Sequence, residues 1–209
     1  MYNCIFSAHC TELTCDNSCP TLVETSYLLE RNGISMKSPV FASSAQLVDA
    51  AIAVLNESAG KFKSVVSSRT VEITELLTYC AICQNWQGSR LHCNVYNLRY
   101  SRYIEELKKS WTTKAEPESL EYMRIWANSA KVLIISHIDY VNFGDFESQT
   151  ILNLLQSRQG TDQTTILVTP DTKQLVGKST SSQFFAKLTH LIDNNRASTP
   201  GCIKGATDS

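Results

Sequence analysis

The sequence predicts an α/β fold in three layers, with a parallel sheet covered by helices on both faces. Two observations carry this. Apolar runs such as Val132-Leu133-Ile134-Ile135 and Thr165-Ile166-Leu167-Val168 are continuous rather than alternating, as strands buried on both faces are. Each run is separated from the next by a stretch of helical periodicity, the crossover that parallel neighbours need. The chain has 209 residues and is 43% hydrophobic, enough for one domain with a sizeable core.

The elements follow in order. Pro20 suits the first turn of a helix reaching about Asn32, with Gly33 as its left-handed cap. Residues 33–43, with Pro39 and several serines, read as a linker. Leu47, Val48, Ala51, Ile52 and Leu55 then form the stripe of an amphipathic helix that Gly60 ends. Residues 62–68 read as the first strand and 71–86 as a helix with Ile73, Leu76, Leu77, Cys80 and Ala81 inward. A second strand is expected at 91–96, helices at 98–109 and 118–128, and a third strand at 131–138. A helix at 146–158, a fourth strand at 164–169 and a helix at 181–193 complete the pattern, with 202–204 a candidate last strand. The expected organisation is therefore a small N-terminal module at 1–32, the linker, an α/β domain at 44–205 and a tail at 206–209.

The N-terminal module is defined by Cys4, Cys10, Cys15 and Cys19, which give C-x5-C-x4-C-x3-C-P. A segment so poor in aliphatic residues has no core of its own. Four thiolates around Zn²⁺ would fix it, with ligation worth roughly 10–16 kcal/mol in small zinc peptides. The spacing is looser than the C-x2-C pairs of zinc ribbons, so free thiols, or disulfides in an exported chain, stand as alternatives. His9 adjoins Cys10 and flanks the cluster. Cys80 and Cys83 fall inside a helix rather than at its N-terminus, and read as small buried hydrophobes instead of a redox pair.

Charge is nearly balanced, with 19 Lys and Arg against 20 Asp and Glu, so no basic excess announces a nucleic-acid surface. Arg99, Arg102, Lys108 and Lys109 interleave with Tyr100 and Tyr103, a pattern that can meet nucleic acid. Glu105 and Glu106 interrupt it and favour a solvated helix face. No apolar stretch approaches the roughly 18 residues of a membrane span. The first residues lack the basic region and apolar run of a signal peptide, so a cytoplasmic protein with reduced or metal-bound thiols is expected.

Three segments give the chain a resemblance. The cysteine cluster leads into Cys19-Pro20-Thr21-Leu22 and then Tyr27-Leu28-Leu29. Cys93-Asn94-Val95-Tyr96 is followed by Ile104-Glu105-Glu106-Leu107-Lys108, and Val132-Leu133-Ile134-Ile135 by a helix and Thr165-Ile166-Leu167-Val168-Thr169. Together these resemble the bacterial and phage helicase loaders of the DnaC/DnaI type, which are AAA+ ATPases, over about residues 4–205. The resemblance implies an AAA+ or phosphate-loop-like sheet, and an N-terminal module that contacts a replicative helicase.

The chemistry of that family is missing here. A phosphate loop needs glycines for close backbone approach and a Lys followed by Thr or Ser for phosphate and Mg²⁺. The first strand instead runs through Ser67-Ser68-Arg69-Thr70 into Val71-Glu72-Ile73-Thr74, with neither glycine nor lysine. Where an acidic pair should hold Mg²⁺ and orient water, Ser136 and His137 stand, with Asp139 two residues beyond. The polar sensor is replaced by Thr169-Pro170-Asp171. The segment that carries the family's arginine finger reads Gly177-Lys178-Ser179-Thr180-Ser181-Ser182-Gln183, without arginine. His137 has no Ser or Cys nucleophile on a G-x-S-x-G turn, so it reads as a packing or capping residue.

The expectation is a non-catalytic replication accessory of a phage or mobile element, a pseudo-ATPase that takes Zn²⁺ but not ATP. Its partner would be a replicative helicase or helicase loader, a hetero-oligomer being one form of the assembly, with Leu22, Tyr27, Leu28 and Leu29 as exposed anchors of the module. The alternatives are an ATPase with atypical nucleotide binding, and a zinc-containing regulatory or inhibitory adaptor unrelated to replication.

Overall fold

The computed structural model describes residues 20–35, 37–86, 94–113, 117–176 and 183–198. Four strands, β1 (Phe62–Val66), β2 (Val95–Arg99), β3 (Val132–Ser136) and β4 (Thr164–Thr169), form one sheet in the order β1-β4-β3-β2. Every pairing is parallel, with Val65 opposite Val168, Ile134 opposite Ile166 and Leu98 opposite Ile135. β3 and β4 lie in the middle and are buried at every position, which is why they read as unbroken apolar runs.

Successive residues of these strands serve opposite faces. Val132, Ile134, Ile166 and Val168 join a core with α1 (Pro20–Arg31), α2 (Ala45–Glu57) and α3 (Thr70–Asn85). Leu133, Ile135 and Leu167 join a second core with α4 (Tyr100–Thr113), α5 (Glu118–Ser129), α6 (Asp145–Arg158) and α8 (Gln183–Asn194). The three-layer α/β prediction holds. Outside β1 the chain returns at Arg196, which bridges Ser64 in parallel, with Ser64 N donating to Asn195 O and Ala197 N to Ser64 O. The last-strand expectation at 202–204 lies outside the described residues.

Two expectations need correction. The helix assigned to a separate N-terminal module is part of the main core: Leu28, Leu29, Ile34 and Val40 share a cluster with Val65, Ile134 and Ile166. Its end is the predicted one. Gly33 adopts φ 78°, and Ile34 N donates to Leu29 O while Gly33 N donates to Glu30 O, a reciprocal C-terminal cap. The stretch expected to be a linker contains a 3-10 turn, Pro39–Ala42, capped by Ser38 and packed on α3. β2 also begins and ends later than the periodicity indicates. Asparagine is depleted in strands, but the polar groups of Asn97 are satisfied by Asn32 and Ser136, and Leu98 is buried and pairs with Ile135.

Candidate functional site

In open parallel sheets, ligands sit beyond the carboxyl ends of the strands. Here that edge is built by the ends of β1, β3 and β4 and the start of α3. Three residues, Ser67, Ser68 and Arg69, connect β1 to α3. Ser67 N donates to Thr169 O, and Arg69 N to the Ser67 hydroxyl, so the turn closes on itself and on β4. Arg69 caps α3 without a side-chain bond to the backbone, and its guanidinium lies 3.3 Å from Glu72. Glu72 favours the positive end of its own helix and repels any anion approaching it. Thr74, within the first turns, donates to Thr70 O and is buried.

Ser136 ends β3 and His137 follows it. A continuous hydrogen-bond chain holds them. Asn32 Nδ2 donates to Leu28 O, and Asn32 Oδ1 accepts from Asn97 N at 2.6 Å. Asn97 Nδ2 returns to Asn32 O, and Asn97 Oδ1 accepts from the Ser136 hydroxyl at 2.9 Å. Ser136 Oγ is also 2.9 Å from His137 Nδ1. Because the single hydroxyl proton goes to Asn97, Ser136 accepts from Nδ1–H, which leaves His137 Nε2 as the atom that takes a proton.

His137 is a left-handed residue, φ 58°, and its ring lies 5.5 Å from that of Tyr140. Burial lowers its pKa below the ordinary histidine value, and Arg99 pushes the same way, partly offset by Asp139 and Glu75. Glu75 in turn accepts from the Ser38 hydroxyl. At the end of β4, Thr169 donates to Pro170 O, and Asp171 accepts from Lys173 N to start the short helix α7 (Thr172–Val176). Asp171 serves there as a helix cap.

The other predicted residues are distributed differently. Cys4, Cys10, Cys15 and Cys19 lie outside the described residues, as do 177–182. Among the described residues no group of three or more His, Cys, Asp or Glu is placed to hold a metal ion. Of the expected docking anchors, the Leu22 side chain is outside the description, Tyr27 is 51% exposed, and Leu28 and Leu29 are 0% and 1% exposed. Leu28 and Leu29 are therefore core residues and cannot meet a partner; helical geometry turns them inward and Tyr27 outward. Cys80 is buried, and burial pushes its thiol up to about 12, as suits an inert side chain.

Sequence reasoning missed Arg158. It is 3% exposed and donates to Thr165 Oγ1 and to the carbonyls of Ala127, Asn128, Ala130 and Thr164. This guanidinium ties the end of α5 to the start of β4, and burial draws its pKa down to about 10. No local pattern signals it, because its acceptors come from two distant segments.

Neither a family model nor a curated protein matches the sequence. A solved structure, the replication initiator DnaA bound to AMPPCP and single-stranded DNA, is similar in fold. The superposition has a TM-score of 0.51 at 9% identity and covers 72% of this chain and 43% of that chain. The two chains share this α/β fold. At that identity the likeness shows the fold alone, and the chain spans under half the length of the initiator. No helix among the described residues is long and apolar enough to cross a membrane.

Proposed function

We propose that the protein is a replication accessory that keeps an AAA+-like skeleton without ATP hydrolysis and acts by binding a replicative helicase or an active helicase loader. One observation supports this most directly. At the end of β3, where the reaction needs free carboxylates for Mg²⁺ and water, a serine and a histidine are committed to an internal hydrogen-bond chain through Asn97 and Asn32. Phosphoryl transfer depends on positioned charge, and the three-residue turn has neither glycine nor lysine and sets its one cation, Arg69, against Glu72. The name of the structural neighbour as a replication initiator supports the replication context by analogy of fold.

In this reading Cys4, Cys10, Cys15 and Cys19 hold one structural Zn²⁺, and the docking surface continues onto the outer face of α1, where Val23 and Tyr27 are exposed. Protein purified without chelator or affinity metal should carry about one zinc per chain; fewer than about 0.2 equivalents would refute the metal assignment. The partner is tested by mixing the full chain with the purified replicative helicase and loader of its native host. A complex that survives size-exclusion chromatography and is weakened by Tyr27→Ala is expected. No complex with either protein would instead favour the adaptor unrelated to replication.

A further inference from the structure

We propose that a groove beside the open edge of β2 binds a phosphate group. The groove has a volume of about 220 Å³ and lies between the end of α1, the end of β2 and the start of α4. Three guanidinium groups from these three elements line it: Arg31, Arg99 and Arg102. One carboxylate, Glu30, is on its rim.

The walls are held independently of any ligand. Arg31 lies with its guanidinium carbon 4.3 Å from the centre of the Trp126 ring and donates to Val95 O. Arg99 donates through one Nη to the carbonyl of Gly33, whose left-handed backbone, φ 78°, favours glycine; a Cβ there would also meet the Arg99 guanidinium. Arg102 is exposed on the first turn of α4, whose N-terminus adds a second favourable field for an anion. The opposing negative end of α1 is neutralised by its own cap, since Leu28 O, Leu29 O and Glu30 O already accept from Asn32, Ile34 and Gly33.

The same geometry decides what enters. The outward groups of β2 at Val95 and Asn97 are taken by Asn32, so the edge is closed to an added strand. What remains is a compact space lined by three arginines, of which Arg31 and Arg99 are held by hydrogen bonds to the backbone. Guanidinium forks match the several oxygens of a phosphate better than a single charge. The phosphate would be free or esterified to a side chain.

The test is a titration of the isotope-labelled full chain, followed by amide resonances. One arm uses sodium phosphate, a second uses O-phosphoserine, and sodium chloride at matched ionic strength is the reference. Saturable shifts centred on Gly33, Arg99 and Arg102 are expected with phosphate and not with chloride. Binding of phosphoserine as tight as phosphate identifies the free group as sufficient, and tighter binding identifies an esterified one. Arg102→Gln, at an exposed residue, should weaken the affinity roughly tenfold while leaving the spectrum otherwise unchanged. Shifts no larger than those in chloride, or identical titrations for the variant and the parent chain, would overturn the site. Either result would leave the partner-docking reading intact.

Discussion

At the scale of single residues, two buried polar groups set expectations that can be measured. Arg158 donates five hydrogen bonds, four of them buried, so Arg158→Ala strands several buried acceptors. A loss of at least about 3 kcal/mol in urea unfolding is expected, and a melting midpoint lower by on the order of 6–12 °C. His137 gives a pH signature. Its folded pKa is depressed, so the neutral form is the one the fold prefers. The stability it contributes is fully present above the ordinary histidine value of about 6.5 and is lost as pH falls through the folded value. His137→Asn keeps a residue that tolerates the left-handed backbone and removes the titration. The stability advantage of the parent chain over this variant should shrink between pH 7.5 and 5.5; an advantage that stays constant would show that His137 does not titrate in the fold.

At the scale of elements, α1 changes meaning. Its sequence offers Tyr27-Leu28-Leu29 as one apolar run, and a free-standing module would display all three. In the structure the helix lies on the main core and Asn32, at its end, fills the hydrogen bonds of edge strand β2. Leu28→Ala should therefore cost about 2–5 kcal/mol in unfolding, as a core truncation does. Tyr27→Ala should stay within about 0.5 kcal/mol. Equal, small effects from both would restore the separate module. The central strands, the flanking helices and the Gly33 cap were legible because continuous apolar runs, 3.6-residue stripes and a left-handed turn each leave a local trace. The placement of α1, the later register of β2 and the role of Arg158 were not. Asn97 is acceptable in a strand only because Asn32, 65 residues away, bonds it, and the acceptors of Arg158 lie at the end of α5 and the start of β4. Such compensation is invisible until the chain is folded.

At the scale of the whole molecule, the account rests on a separation of fold from reaction. The sheet order, the covered faces and the likeness in fold to the replication initiator are properties of packing, which needs only apolar residues at the right period. The reaction needs charges at the strand ends, and this chain places Arg69 with Glu72, Ser136 with Asn97 and His137, and Asp171 with its own helix there. The absence of glycine, lysine and the acidic pair was readable directly from the sequence. How the vacated positions are used was not, since the hydrogen-bond chain joins residues 32, 97, 136 and 137. The most direct test of this separation is calorimetric titration of the full chain with MgATP. The account predicts no saturable heat and no phosphate release above the protein-free control. A dissociation constant in the low-micromolar range, or steady hydrolysis that scales with protein concentration, would contradict it and make the protein an ATPase of atypical site.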